Sequence, residues 1–247
     1  MARPKAVLLD AGGVFLLPEP HRILGAIKRA GYADANPRLD DAHYRAAARF
    51  STDLDVEADW NSCWQQYLDE YVVACGIPED FREEVHLHLD SEFADAALWF
   101  AVVPGCIDGL RALAATGVRL GVVSNADGMI AERLRQREIL QVGPGLGIEV
   151  ECVIDSGVVG VMKPAARIFE IALTAMALEG GRSGDDDPGT DGDEDVWYVG
   201  DMPAIDVVGA RRAGIRPFVI DPLELHVHAD YERVGSLADL ALMVDRH

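Results

Sequence analysis

Between Val102 and Ile220 the chain repeats one pattern: a short apolar run, a joint of Gly, Pro, Asn or Asp, then a longer stretch with apolar residues three and four apart. Apolar runs of roughly 4–8 residues bounded by turn residues read as strands buried on both faces, and the longer stretches as amphipathic helices. The spacing predicts a helix over 106–116 closed by Gly117, a strand over 118–123 and a helix over 128–140. It continues with a strand over 149–154, a helix over 165–178, a strand over 196–199, a helix over 204–213 and a strand over 216–220. Strands joined through helices of this length form right-handed parallel crossovers. The expected fold is α/β, a doubly wound parallel sheet with helices on both faces.

The first strand of such a sheet lies in Lys5-Ala-Val-Leu-Leu-Asp-Ala-Gly-Gly-Val14, an apolar run that stops on one carboxylate, Asp10, with two glycines just beyond. Open α/β sheets bind ligands at the carboxyl ends of their strands, so Asp10 is a candidate functional acid. A solvated turn aspartate would look the same in this segment. Between the first strand and Val102 the pattern changes. After Leu17-Pro-Glu-Pro20, helical spacing runs over 21–31, 40–50, 57–75 and 79–95, broken by Asn36-Pro37 and Ile77-Pro78, with no convincing strand. The expected organisation is a core made of residues 1–17 and 101–247, with a helical domain inserted over 18–100. Trp60, Trp64, Tyr67 and Tyr71 share one of its helices. They read as that domain's core, with a ligand-stacking surface as the alternative.

A chain of 247 residues is long enough for a core plus a smaller domain. Its net charge of −20 argues against nucleic acid and anionic membranes as partners, since phosphate backbones call for clustered Lys and Arg. No stretch approaches the roughly 20 apolar residues of a membrane span. Arg3 and Lys5 before an apolar run faintly suggest a leader, but Asp10 interrupts the run, which reads as the first core strand. Cys63, Cys75, Cys106 and Cys152 are dispersed and make no metal-type pair; they read as reduced thiols of a cytoplasmic protein. Residues 180–195 are a Gly- and Asp-rich run expected to be a flexible acidic insert within the core. A calcium loop is the alternative, but the run lacks the register and terminal Glu of that site.

Three further segments carry polar residues at expected strand ends or helix starts: Val122-Val-Ser-Asn125, Val161-Met-Lys-Pro164 and Val199-Gly-Asp-Met-Pro-Ala-Ile-Asp206. Ser124 and the backbone N–H groups beside it suit a phosphate oxygen, or Ser124 and Asn125 cap the next helix. Lys163 is one of only three lysines and offers a point charge, or simply starts a helix. Asp201 and Asp206 read as acids near a helix start that favour its dipole.

In this order, with Asp10 in front, the segments resemble the four motifs of the haloacid dehalogenase-like hydrolase superfamily, over roughly residues 5–16 and 102–222. The Gly-Asp, four residues, Asp arrangement of the last segment, followed by Val-Gly-Ala-Arg-Arg-Ala-Gly214, is the most specific part. The resemblance implies that Asp10 is a nucleophile forming an aspartyl-phosphate that water hydrolyses. It implies that Ser124 and Lys163 are catalytic and, with Asn125, bind the substrate. It implies Mg2+ held by Asp10, the Gly12 carbonyl and Asp201, with Asp206 supporting the metal waters or Lys163. The helical insertion then resembles the superfamily's cap, and the substrate is a small phosphorylated metabolite.

One position departs from that pattern. Phosphatases of the superfamily usually carry a second Asp two residues after the nucleophile, which protonates the leaving oxygen, and here that position is Gly12. General acid–base catalysis contributes about 10²–10⁴-fold, most for basic leaving groups. Three readings stay open: a magnesium-dependent phosphatase for substrates whose leaving group needs little protonation, another branch of the superfamily cleaving a C–P or C–halogen bond, or a non-catalytic phosphate-ligand-binding or partner-binding protein on the same scaffold.

Overall fold

The computed structural model describes residues 3–33, 37–50, 60–178 and 196–246. The acidic run 180–195 lies outside the described residues. The chain divides into two compact units, one containing the residues up to Phe15 and those from Val103 onward, the other Leu16–Val102.

The first unit opens with β1 (Ala6–Leu9), and the second spans β2 (Leu16–Pro18), α1 (Pro20–Arg29), α2 (Leu39–Phe50), α3 (Trp60–Ala74), α4 (Glu79–Phe93) and β3 (Trp99–Val102). The first unit resumes with α5 (Cys106–Ala115), β4 (Arg119–Ser124), α6 (Ile130–Gln136), β5 (Leu140–Val142), β6 (Ile148–Val150) and β7 (Cys152–Asp155). It ends with α7 (Ser156–Val159), α8 (Ala166–Ala175), β8 (Val196–Gly200), α9 (Pro203–Arg212), β9 (Arg216–Ile220), β10 (Glu232–Val234) and α10 (Leu237–Asp245).

The sheet of the first unit has the order β10-β9-β8-β1-β4-β7, with every neighbouring pair parallel. The chain leaves β1 toward β4 and β7, then returns to β1's other side through β8, β9 and β10. The order therefore reverses at β1, and a crevice at the carboxyl ends of β1, β4 and β8 follows from the topology. Burial explains why these strands are apolar throughout: Ala6, Val7, Leu8 and Leu9 are all fully inaccessible. One face packs on α8 and α9 through Ile168, Phe169, Leu173 and Ala210. Each fully buried Ile, Leu or Phe there contributes about 1.5–3 kcal/mol from its removal from water. Gly109 lets α5 approach α10, since a Cβ at that position would sit 2.8 Å from Leu237 Cβ.

The structure differs from the periodicity at three places. The helix expected over 128–140 stops at Gln136, because Glu138 takes a left-handed φ of 54° and Ile139–Leu140 turn into β5. The strand expected over 149–154 is two strands: β6 pairs with β5 in a separate ribbon, while β7 pairs with β4 in the main sheet. Arg119 bridges the break by forking onto Glu151. The region expected to be purely helical is bounded by an antiparallel pair, β2 with β3. This pair ties the two ends of the inserted module together where the chain enters and leaves it.

Within that second unit the aromatic residues of α3 form an interior. Tyr67 and Tyr71 are fully buried, Trp64 stacks on Tyr67 with centroids 4.8 Å apart, and Phe93 meets Trp64, Tyr67 and Tyr71 edge-on. All four cysteines are buried and in no disulfide. Burial pushes Cys75 up to about 12 and Cys106 and Cys152 up to about 11, far from a reactive thiolate.

Candidate active site

Four adjacent parallel strands, β8, β1, β4 and β7, each end in a polar side chain. Asp201 follows β8, Asp10 follows β1, Ser124 closes β4 and Asp155 closes β7. A buried parallel strand is apolar along its length, so its first polar residue marks the point where the chain leaves the sheet. Asp10 is fixed there by its own N–H, which donates to Val199 O at 2.8 Å, and its Oδ1 accepts the N–H of Ala11 at 2.7 Å.

The turn that follows needs its glycines for different reasons. Gly13 has a left-handed φ of 64°, and a Cβ there would lie 2.3 Å from Asp201 Cγ. Only glycine lets the strand-end turn and the Asp201 carboxylate share that space. Gly12 is not among the left-handed glycines, and its carbonyl accepts the N–H of Val14 at 2.7 Å. A carbonyl has two lone pairs, so one remains for another partner. On β8, Gly200 plays the part Gly13 plays on β1, since its Cβ would fall 2.3 Å from Asp206 Cγ.

Lys163 reaches into this edge from the segment ahead of α8 and is 1% exposed. Its Nζ lies 2.7 Å from Asp10 Oδ2, 2.7 Å from Asp206 Oδ1 and 2.8 Å from Tyr198 Oη. Asp206, on the first turn of α9, is fully buried. Its Oδ1 accepts from Lys163 and from the Tyr198 hydroxyl at 2.9 Å, and its Oδ2 accepts the N–H groups of Asp201 and Met202 at 3.0 and 2.8 Å. These contacts occupy about all the acceptor directions a carboxylate has. Asp206 therefore holds Lys163 and the Asp201 turn in place and has no lone pair left for direct ligation.

Asn125 grips the backbone of Lys163 at both ends. Its Oδ1 accepts Lys163 N–H at 2.7 Å and its Nδ2 donates to Lys163 O at 3.1 Å. The Asn125 side chain is thus tied to Lys163. Ser124 is buried, and its hydroxyl has no hydrogen-bond partner among the described residues. Asp155 accepts from the N–H groups of Gly128, Gly157 and Ile130, which shapes the turn after β4.

Burial raises the Asp10 carboxyl to about 7; Lys163 opposes the rise, while Asp206 and Asp201 add to it. Burial alone would pull the Lys163 ammonium down, but Asp10 and Asp206 outweigh it and raise it. Asp10, Asp201 and Asp206 each bring a carboxylate oxygen within 4.8 Å of the others. The cluster holds three carboxylates and one ammonium, which leaves two negative charges in a buried place when all are ionised. Hard oxygen donors with that deficit fit a small divalent cation.

The sequence expectation placed Asp10, Lys163, Asp201 and Asp206 at one locus, and the structure brings them together. Ser124 and Asn125 lie on the neighbouring strand end. Two contributors were not found from sequence. Tyr198 reads there as one more core aromatic of a buried strand, and nothing in its spacing marks its hydroxyl. Asp155 carries the same signal as Asp10, a carboxylate closing an apolar run, and reading the strand one residue further would have found it.

A family model described as haloacid dehalogenase-like hydrolase matches residues 4–214. A phosphoserine phosphatase of Thermus thermophilus is 30% identical over 202 residues, covering 79% of this chain and 71% of that protein. Among solved structures, a HAD-superfamily hydrolase from Ehrlichia chaffeensis superposes with a TM-score of 0.58 at 16% identity, covering 100% of this chain and 98% of the other. A dehalogenase solved with an intermediate complex gives 0.56 at 14% identity, with 100% of both chains covered. At those identities the structural matches speak to the fold.

Proposed function

The chain belongs to the haloacid dehalogenase-like hydrolase family and is a hydrolase of that kind; we propose that within it the protein is a magnesium-dependent phosphatase of small phosphorylated metabolites, acting through an aspartyl-phosphate on Asp10. The observation that carries this reading is the buried cluster of Asp10, Asp201 and Asp206, with Lys163 bound to Asp10 and Asp206 and the whole two charges short of neutrality. Asp10, the Gly12 carbonyl and Asp201 would hold magnesium. Bound there, the ion supplies positive charge that keeps Asp10 ionised and offsets the charge of an arriving phosphate.

Asp10 attacks phosphorus with one carboxylate oxygen; the ester P–O bond breaks, and the leaving oxygen takes the electron pair. Water then attacks phosphorus, releases phosphate and regenerates the Asp10 carboxylate. Ser124 donates its hydroxyl to a phosphoryl oxygen. Lys163, held by Asn125 and Asp206, steadies the charge on Asp10. Gly12 supplies no proton, so the departing oxygen leaves as a weak base or takes its proton from water. The helical module, Leu16–Val102, is the cap of this reading and selects the substrate.

The test is a magnesium-dependent screen of phosphate esters graded by leaving-group pKa. Acyl and aryl phosphates should be turned over, and simple alkyl phosphates poorly. Activity lost with EDTA and in Asp10→Asn supports the reading. Turnover of 2-haloacids, or of no phosphate ester at all, overturns it.

A further inference from the structure

We propose that Tyr198 is the positioning residue of Lys163, fixing through its hydroxyl where the ammonium lies against Asp10. The inference rests on the phosphatase reading only for its kinetic consequence. Its geometry stands alone.

Three polar atoms form a closed triangle inside the protein. Lys163 Nζ is 2.8 Å from Tyr198 Oη and 2.7 Å from Asp206 Oδ1, and Tyr198 Oη is 2.9 Å from that same Asp206 oxygen. All three side chains are 1% exposed or less. An ammonium has three protons and no acceptor. One goes to Asp10 Oδ2, one to Asp206 Oδ1 and the third to Tyr198 Oη, which donates its own proton to Asp206 Oδ1. Val123 O lies within 3.3 Å of the same hydroxyl as a second acceptor.

Without Tyr198 the ammonium would hang between two carboxylates on a flexible four-carbon stem, with one proton unsatisfied in a dry place. With Tyr198 its three bond directions are all defined. The tyrosine ring is itself immobile: it sits in β8, packs edge-on against Phe169 at 4.9 Å, and belongs to the core beneath α8. Tyr198 thus transmits the rigidity of the sheet to the one cation of the cluster. Lys163 is held at two levels, its backbone by Asn125 and its head by Tyr198.

The experiment uses the full chain and the Lys163 ammonium itself as reporter. With three lysines in the sequence, the side-chain 1H–15N spectrum is simple, and Lys163→Met identifies the signal. A buried, triply bonded ammonium exchanges slowly and should give one sharp resonance in the wild type, whether or not the protein is a phosphatase. In Tyr198→Phe the signal should broaden or vanish, while aryl phosphate turnover falls about tenfold in kcat with KM within twofold. Should Tyr198→Phe fail to fold, 3-fluorotyrosine placed at position 198 alone keeps the shape and alters the hydroxyl, and should shift the Lys163 resonance. An unchanged Lys163 resonance in a folded variant overturns the proposal. A resonance that changes in a protein hydrolysing no phosphate ester upholds the positioning role and overturns the phosphatase reading instead.

Discussion

Replacing Lys163 by Met should cost the metal-free protein much of its stability, and the cost should depend on pH in a defined direction. The side chain is buried, and it is the ammonium at 2.7 Å from both Asp10 and Asp206. Methionine has a similar reach but no charge, so the substitution leaves carboxylates buried without their counter-ion. Breaking a buried pair in this way costs about 3–5 kcal/mol. In a chain of this size that corresponds to a fall in Tm of roughly 6–20 °C.

The sign with pH follows from Asp10. Its folded-state pKa, about 7, lies above the ordinary 3.8, because burial outweighs the help it receives from Lys163. The native state therefore holds the proton more tightly than the unfolded chain. Stability falls as pH rises from about 4 to about 7, and the whole penalty is present above 7. Lys163 lowers the Asp10 pKa, so its removal moves the upper limit of that window higher and deepens the loss above it. Calorimetry in EDTA should show a large drop for Lys163→Met at pH 8 and a much smaller one at pH 5, where Asp10 is protonated in both proteins. Millimolar magnesium at pH 8 should restore part of the loss. A Tm change of equal size at both pH values, or none at either, would refute the electrostatic reasoning.

Gly12→Asp should raise turnover of simple alkyl phosphates by about 10–10³-fold by supplying the missing proton donor, with little gain on aryl phosphates; steady-state rates across leaving groups check it. Asn125→Ala removes both hydrogen bonds to the Lys163 backbone and should cost about 1–3 kcal/mol in a urea titration, with kcat falling more than KM rises. Gly13→Ala forces a Cβ against Asp201 in a left-handed turn and should weaken magnesium binding about tenfold or more by isothermal titration, while Gly31→Ala, also left-handed but with open space around it, should leave that affinity unchanged.

How much of this was legible in the sequence depended on how local each signal was. The alternating runs from Val102 to Ile220 announced the sheet because each buried strand and crossover helix carries its own period. Asp10 and Asp201 were ambiguous one at a time, as a turn acid and a helix-start acid, and gained meaning from the ordered set of four motifs. Lys163 stood out by scarcity. Tyr198 gave no such signal: its ring satisfies the core pattern of β8, and its hydroxyl's partners lie on a loop, on the first turn of α9 and on strand β4. Asn125 looked like a cap or a phosphate donor because its partner, Lys163, is 38 residues away. The break of 149–154 into two strands followed from pairing, which no local period records. The last helix, Leu237–Asp245, carries a local signal of its own. Ser236 is its N-cap, with Ser236 Oγ accepting the Asp239 N–H at 3.2 Å and donating to Asp239 Oδ2 at 2.7 Å.

The central claim is that Asp10 becomes covalently phosphorylated, and borohydride trapping tests it most directly. An acyl phosphate is reduced by borohydride to an alcohol, whereas a free carboxylate is not. Enzyme quenched during magnesium-dependent turnover of an aryl phosphate, then reduced and digested, should yield the peptide spanning residue 10 with the mass of homoserine in place of aspartate. The same treatment without substrate should leave aspartate. Unmodified aspartate at position 10 during active turnover, or homoserine at Asp201 or Asp206 in its place, would contradict the account.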